Sequence, residues 1–357
     1  PEEKFQKKIR ILLVGFGVAG VQLSYQLLKQ RASFLVIDDA PAHNSSKVAA
    51  GIINYITGRR MVKTWMADEL IPFATDTYRE FESLLGQQFY YPAEIIKLIQ
   101  QQDELNEIIV HKEKRGLDKY LSLETPLNEL LQQLVTPSLA GLTIHNTGYV
   151  DVRSLISHYS TYLKEKDLLH TGNFDFEALS VTENEIRYKD IIAEQIVFCE
   201  GYKALLNPYF NWLPIGPTYG DILLIKLEAP FKTEHILNKG VYMVPLGNNI
   251  YKTGSTYFWD TMDATPKPEG KEQLLEKLKK LIQVPFEVLE HQAGIRPTVK
   301  YRRLRIGFHP QHPRIGIFNG FGTKGISLTP YWAKHFASHL IDNTALSAEV
   351  DIRREIK

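Results

Sequence analysis

The chain has 357 residues, enough for one large or two moderate domains with hydrophobic cores of their own. Its 42 basic and 41 acidic residues nearly cancel, so no global electric field favours nucleic acid or an anionic membrane surface. The single cysteine, Cys199, excludes an internal disulfide framework and is typical of a reducing compartment. Because no apolar run is long enough to span a bilayer and no signal-peptide cleavage site is visible, we expect a soluble, cytoplasmic protein.

The start of the chain predicts a strand, a helix and a second strand. Residues 9–14 are apolar and β-branched, as in a buried parallel strand, and residues 21–30 carry apolar side chains at helical spacing. A second apolar strand at 34–37 ends in Asp38 and Asp39. This order is typical of the first βαβ unit of an α/β domain.

Beyond this unit, helical and strand patterns alternate. We predict helices over 61–85, 151–164 (with Asp151 as N-cap), 269–282 and 328–341. We predict strands at 95–99, within 175–200, and at 221–226, 241–244, 250–255 and 315–318. The sequence therefore indicates an α/β fold in which a Rossmann-type nucleotide-binding domain is interleaved with an antiparallel-sheet α+β domain.

A glycine motif joins the first strand to the first helix. Gly15 permits the tight turn, Gly17 lets the backbone approach a pyrophosphate, and Gly20 lets the helix pack on the strand. Val18 and Ala19 complete the motif as predicted cofactor contacts, and the helix that follows offers free N–H groups and the positive end of its dipole to phosphate. The motif predicts a dinucleotide site but does not separate FAD from NAD, since both cofactors use it.

Acidic and hydroxyl side chains follow the second strand. Asp38, with Asp39 beside it, can accept hydrogen bonds from a ribose diol. The stretch from Ser45 and Ser46 to Ala50 and Gly51 resembles the segment of D-amino acid oxidase and glycine oxidase that wraps the pyrophosphate and flavin. Taken alone, this stretch is equally typical of a polar loop that enters a helix.

Two further elements resemble the same family. The run Gly294-Ile295-Arg296-Pro297 resembles its Gly-hydrophobic-Arg-Pro element, in which the arginine grips the substrate carboxylate. A guanidinium suits this role because it forms a planar, bidentate pair with a carboxylate. Tyr242 matches the Tyr-hydrophobic-Val-Pro strand and implies a phenol contact to the same carboxylate. A structural ion pair at Arg296 and a half-buried strand tyrosine at Tyr242 are the alternatives.

The C-terminal glycine-rich segment resembles the Gly-His-x-x-Asn-Gly-Ile-x-x-x-Pro signature of these oxidases. The resemblance implies that the segment brings backbone N–H groups and a helix N-terminus to the N1/O2 edge of the flavin. The implied contacts come from Gly322, Thr323, Lys324, Gly325 and Ile326. The sequence departs from the family where Phe321 replaces histidine and Lys324 replaces asparagine, and Lys324 either adds its charge there or points into solvent.

A second glycine turn completes the resemblance. Gly201 follows Val197-Phe198-Cys199-Glu200 and implies another contact near the FAD, although small residues are common where Glu200 stands. The chain is thus identified as a member of the D-amino acid oxidase and glycine oxidase family, with non-covalent FAD. Residues 1–85, 141–215 and 310–357 are predicted to form the FAD-binding domain, and 86–140 and 216–309 the substrate domain.

The implied activity is oxidation of the C–N bond of an amino acid or secondary amine. Hydride passes from Cα to flavin N5, and water hydrolyses the resulting imine. Arg296 and Tyr242 hold the small-molecule substrate, and oxygen or another acceptor takes the electrons. No histidine or cysteine spacing indicates a metal site. Substrate identity, the acceptor and the oligomeric state are open.

Other functions are compatible with the same motifs. The basic run Lys300-Tyr301-Arg302-Arg303-Leu304-Arg305 predicts a solvated strand edge, or alternatively a basic rim that selects a second acidic group. Related flavin domains act on hydroxy acids or on a tRNA carboxymethylamino group, which the arginine cluster would suit, but the near-zero net charge argues against nucleic acid. A non-catalytic flavin-binding protein and a nicotinamide dehydrogenase are the remaining alternatives.

Overall fold

The computed structural model describes residues 7–41, 44–58, 60–259, 261–299 and 303–355. In chain order the strands are β1 Lys7–Val14, β2 Phe34–Asp38, β3 Ile52–Ile53, β4 Ile56–Thr57, β5 Val62–Lys63, β6 Tyr90–Pro92, β7 Ile95–Ile99, β8 Leu121–Glu124, β9 Ala140–Ile144, β10 Gly148–Val150, β11 Leu169–Thr171, β12 Leu179–Val181, β13 Ile186–Tyr188, β14 Ile191–Phe198, β15 Ile215–Leu227, β16 Ile236–Asn238, β17 Tyr242–Pro245, β18 Ile250–Gly254, β19 Phe258–Trp259, β20 Phe286–Val299, β21 Arg305–Phe308 and β22 Ile315–Asn319. The α-helices are α1 Val18–Lys29, α2 Ser45–Val48, α3 Ala67–Leu85, α4 Gln102–Lys114, α5 Glu129–Leu134, α6 Val152–Glu165, α7 Pro268–Lys279 and α8 Gly325–Asp342.

The first large sheet has parallel strands at its centre. Its order is β11-β2-β1-β14-β13-β12, and β22 pairs with both β14 and β21. β1 pairs in parallel with β2 and β14, so that Val14 lies level with Ile37 and Phe198. The carboxyl ends of these three strands therefore meet at one edge, where α/β sheets bind nucleotides.

The second large sheet is almost entirely antiparallel. β15 pairs with β20 from Ile215↔Val299 to Leu227↔Phe286, and β15 and β17 flank β18 on its two sides. One parallel contact, between β16 and β7, joins the early strands to this sheet. α7 covers one face through apolar contacts of Leu274 and Leu278. The mixed α/β architecture with an interleaved antiparallel sheet is confirmed.

The predicted domain boundaries stay a prediction. Residues 140–144 pair within the antiparallel sheet, although the boundary was placed at 141, and residues 305–308 pair within the parallel sheet, although it was placed at 310. Within the described part of the chain, no helix combines the length and apolar character needed to cross a membrane.

Most predicted elements agree with the structure to within a few residues, but the predicted helix at 61–85 is wrong at its start. Residues 62–63 form β5, and α3 begins only at Ala67. Met61 and Met66 both have φ of 50°, a left-handed conformation that interrupts a right-handed helix. The local apolar pattern did not reveal these two turns.

A proline inside α8 leaves one carbonyl without its helical partner. Pro330 has no N–H, so the carbonyl of Ile326 lacks the donor four residues on. The hydroxyl of Tyr78, a fully buried residue of α3, donates to this carbonyl at 2.7 Å. Tyr78 thereby satisfies the first turn of α8 and fixes α3 against it.

We expect Tyr78→Phe to lower the free energy of unfolding by about 1–2 kcal/mol, because it leaves a buried carbonyl unsatisfied. Tyr159→Phe is the matched control, since the buried Tyr159 hydroxyl donates to no carbonyl among the described residues. Its effect should stay within about 0.5 kcal/mol. Urea unfolding of both variants measures the difference, and equal losses would contradict this account of Pro330.

Candidate active site

The glycine motif adopts the tight turn that its sequence predicts. Gly15 has φ of 101° after β1, and Gly17 is the N-cap of α1. A Cβ at Gly20 would overlap the carbonyl oxygen of Gly15, so only glycine lets α1 pack this closely. Val18 and Ala19 form the first turn of α1, so the helix begins three residues before the predicted start at residue 21.

Two helix N-termini meet beside this turn. A Cβ at Gly325, the first residue of α8, would lie 3.2 Å from Cγ1 of Val18, the first residue of α1. Both helices thus direct the positive end of their dipoles toward one region. An anionic dinucleotide with a flavin that gains negative charge on reduction is the kind of group that this arrangement stabilises. The donor set therefore fits FAD.

The segment 44–51 lies between the two large sheets. Asn44 caps α2 by accepting from the Lys47 N–H at 2.8 Å, and the Ser46 hydroxyl accepts from the Val18 N–H at 2.9 Å. Gly51 has φ of 74°, and a Cβ there would overlap the carbonyl of Val150. The structure therefore brings the predicted hydroxyls to the start of α1.

The far side of this segment faces the antiparallel sheet. A Cβ at Gly294 would lie 3.1 Å from the Cα of Ser45, and the Lys252 Nζ donates to the Ala49 carbonyl at 3.0 Å. Burial lowers the pKa of Lys252. Ala50 follows Ala49 in this short extended stretch, so the backbone here is fixed from both sides.

The two acids after β2 have different environments. Asp38 accepts from the Phe16 and Ala40 N–H groups, both at 2.8 Å, and burial raises its pKa against these hydrogen bonds. Each carboxylate oxygen retains a lone pair for a ribose hydroxyl. Asp39 instead forms an ion pair with Lys203. Asp38 is therefore the better placed of the two for the predicted ribose contact.

The C-terminal segment turns Lys324 into the protein. Residues Gly322–Lys324, including Thr323, form a 3₁₀ turn immediately before α8. The Lys324 Nζ donates to Thr64 Oγ1 at 2.6 Å and to Thr57 Oγ1 at 3.3 Å. Of the two predicted alternatives for this lysine, pointing into solvent is wrong. Its charge lies at the start of α8, next to the predicted flavin contacts.

Arg296 lies at the other end of the site, on β20. Its Nη2 donates to Ser255 Oγ at 2.7 Å, and its guanidinium carbon lies 4.9 Å from the centre of the Tyr257 ring. A Cβ at Gly220 would lie 2.5 Å from Nη2, so the glycine makes room for the guanidinium. Nη1 is shielded from solvent and has no hydrogen-bond partner among the described residues. Burial lowers the pKa of Arg296.

Tyr242 is connected to the environment of this guanidinium through the pairing of its strand with β18. Tyr242 of β17 pairs with Gly254, the residue before Ser255. Burial raises the pKa of the Tyr242 phenol, which lies against the amide of Asn54. The two predicted substrate residues therefore lie on adjoining parts of one sheet face.

The prediction of a solvated basic edge is wrong for Arg305. That side chain is 1% exposed and forms an ion pair with Glu355 at 2.6 Å. Arg303 lies over the Trp65 ring, with its guanidinium carbon 4.3 Å from the ring centre. Residues 300–302 of the predicted run lie outside the described residues. The cluster of three exposed arginines that motivated a nucleic-acid partner is therefore not present as predicted.

Two departures from the family pattern, Phe321 and Glu200, and the single cysteine lie just beyond the carboxyl ends of β22 and β14. Phe321 is buried, with its ring 4.8 Å from that of Phe318, and Cys199 is a buried thiol whose pKa burial raises. Glu200 accepts from Asn207 Nδ2 at 2.8 Å, and burial raises its pKa to about 7. Gly201 follows with φ of 58°. These side chains lie next to the predicted nucleotide-binding edge of the parallel sheet.

Several residues of this region had no signal in the sequence. Ser255, Tyr257 and Gly220 surround the guanidinium, yet they belong to no recognised motif. Their roles depend on the register of β15 and β18, which composition and periodicity do not specify. Within the described residues, no cluster of histidine, cysteine or acidic side chains could hold a metal ion.

The chain is similar to known proteins in sequence and in fold. The family described as FAD dependent oxidoreductase matches residues 10–339. Glycine oxidase of Pseudomonas aeruginosa is 30% identical over 128 residues, and the match spans only about a third of each protein (35%). Glycine oxidase of Bacillus subtilis is 21% identical over 346 residues, which cover 89% of each chain.

The fold has a full-length structural counterpart. The crystal structure of glycine oxidase from Geobacillus kaustophilus superimposes with a TM-score of 0.82 and covers 98% of this chain and 100% of its own. The sequence identity is 19%, so this comparison shows a shared fold.

Glu200→Gln should stabilise the protein more at pH 8 than at pH 5.5. A folded pKa of about 7 against 4.5 for a free side chain means that the folded state holds the proton more tightly, so stability falls as pH rises between these values. The advantage of the glutamine variant should grow by about 2 kcal/mol over this range. Denaturant unfolding at both pH values measures it, and a constant difference would contradict a buried, titrating Glu200.

Proposed function

Because the chain belongs to the FAD-dependent oxidoreductase family, we propose that it oxidises the C–N bond of an amino acid or secondary amine that carries a carboxylate. Removal of two electrons and two protons from the Cα–N unit, as a hydride from Cα and the proton on nitrogen, gives an imine, which water hydrolyses to a carbonyl compound and ammonia or an amine. FAD, when bound, supplies the two-electron acceptor for this step.

The unpaired Nη1 of Arg296 carries the proposal. A charged donor held away from water without a partner is costly, and a complementary anion removes that cost. Ser255 already occupies Nη2, and Tyr257 covers the guanidinium, so a ligand must approach Nη1. A substrate carboxylate is such an anion, and a guanidinium binds a carboxylate strongly.

The remaining contacts support an oriented substrate. With its carboxylate at Arg296 and a second contact from Tyr242, the substrate would extend its Cα toward the region between Lys324 and the start of α1. Holding reacting groups in such an orientation is worth roughly 7–11 kcal/mol of activation free energy in favourable cases. The proposal assigns no protein base, since a neutral amine can enter from solution.

The alternatives differ in how well the site supports them. A hydroxy acid shares the carboxylate and stays a candidate substrate, whereas the tRNA alternative loses its motif because Arg305 is buried. A flavin-binding protein without turnover would retain the nucleotide site but need no unpaired guanidinium. Oxygen and other electron acceptors are equally compatible with these contacts.

Arg296→Lys tests the proposal, because lysine keeps the charge but loses the planar pair of donors. We expect kcat/KM for the best substrate of a panel containing glycine, sarcosine, iminodiacetate, proline and both alanine enantiomers to fall at least thirtyfold, or about 2 kcal/mol. The flavin absorption spectrum of the purified variant should be unchanged.

Arg187→Lys is the control, since Arg187 forms an exposed ion pair with Glu185 far along the parallel sheet. It should leave kcat/KM within about twofold. Wild-type protein whose flavin no amine on the panel reduces anaerobically would contradict C–N oxidation, and reduction by glycolate alone would favour a hydroxy acid.

A further inference from the structure

The residues that hold the Arg296 guanidinium are themselves held by one buried carboxylate. Asp221 of β15 is 0% exposed, follows Gly220 directly and lies opposite the end of β18. Its Oδ1 accepts from the Tyr219 hydroxyl at 2.6 Å, from the Lys267 N–H at 3.1 Å and interacts with His291 Nε2 at 2.9 Å. Four donors, counting Thr256 on Oδ2, satisfy this anion without lysine or arginine.

Thr256 is bonded to Asp221 in three ways. The Thr256 hydroxyl donates to Asp221 Oδ2 at 2.8 Å and accepts from the Asp221 N–H at 2.8 Å. The Thr256 N–H donates to the Asp221 carbonyl at 3.3 Å. The neighbours of both residues contact Arg296: Gly220 precedes Asp221, and Ser255 and Tyr257 lie on either side of Thr256.

The same carboxylate closes the connection between β18 and α7. The Lys267 N–H at the N-cap of α7 reaches Oδ1, and Tyr219 also donates to the Thr265 carbonyl at 2.9 Å. A Cβ at Gly270 in the first turn of α7 would overlap the carboxylate, so the anion lies against the helix N-terminus, where the dipole stabilises it. Asp221 therefore anchors the backbone at Thr256, just after β18, and at Lys267, just before α7.

We infer that Asp221 and Thr256 are positioning residues for carboxylate recognition, acting through Ser255, Gly220 and Tyr257 on the Arg296 guanidinium. This inference rests on the proposed function, because it assumes that Nη1 of Arg296 binds the substrate carboxylate.

Thr256→Val tests the inference because it removes the hydroxyl and keeps the volume. In the flavin-loaded enzyme, we expect the Kd for acetate, measured by the change in flavin absorption, to rise about tenfold, the effect of one lost hydrogen bond on a close-fitting site. Thr256→Ser should restore acetate binding to within about twofold of wild type. The Kd for FAD should stay within about twofold in every variant, since the nucleotide edge is remote from Thr256.

Thr253→Val, on β18 three residues before Thr256, is the matched control. Thr253 is also 0% exposed, but its hydroxyl has no hydrogen-bond partner among the described residues, so the same substitution should leave acetate binding unchanged. Equal weakening by the Thr253 and Thr256 variants, or a parallel loss of FAD affinity, would overturn the inference by showing a general loss of packing.

The Arg296→Lys variant separates this inference from the proposed function. If it weakens acetate binding and Thr256→Val does not, positioning by Asp221 is refuted and carboxylate recognition stands. If acetate does not perturb the flavin in wild-type enzyme, or binds Arg296→Lys equally well, both are refuted.

Discussion

A guanidinium with one occupied and one unoccupied end is the constraint on which the substrate side of this protein depends. Ser255 accepts from Nη2 of Arg296, and Nη1 is shielded from water without a hydrogen-bond partner in the described part of the chain. Such a group is costly in an empty protein and is stabilised by a bound anion. The guanidinium cannot easily move toward water, because Gly220 and Tyr257 enclose it on the antiparallel sheet.

The nucleotide side depends on a different arrangement, in which the first turns of α1 and α8 come together. The contact between Gly325 and Val18 joins a helix near the start of the sequence to one near its end. The Tyr78 hydroxyl donates the hydrogen bond to the Ile326 carbonyl that Pro330 cannot donate. The segment 44–51 then lies between this region and the antiparallel sheet, held by Ser46 on one side and Lys252 on the other. The predicted cofactor contacts and the proposed substrate contacts thereby lie at a single interface between the two sheets.

Local patterns predicted much of this structure from the sequence. The glycine turn follows from the spacing of Gly15, Gly17 and Gly20, and the resemblance to a known family drew attention to Arg296. What could not be predicted depends on contacts between distant segments. Arg305 is buried because Glu355 reaches it from fifty residues further along the chain, and no local feature distinguishes it from an exposed arginine.

The positioning of Arg296 illustrates the same limit of local reasoning. Asp221 and Thr256 lie 35 residues apart and meet only because β15 and β18 pair in one register. A one-residue slip would move Asp221 to the opposite face, away from Thr256 and the start of α7 and toward the face that carries Arg296. Sheet register therefore links the fold directly to the chemistry of the site.

A crystal structure of the flavin-loaded protein grown with acetate would test the central claim most directly. The account predicts a carboxylate oxygen within roughly 2.7–2.9 Å of Arg296 Nη1, with Ser255 still bonded to Nη2. Acetate bound elsewhere, or a protein carboxylate paired with Nη1, would contradict it.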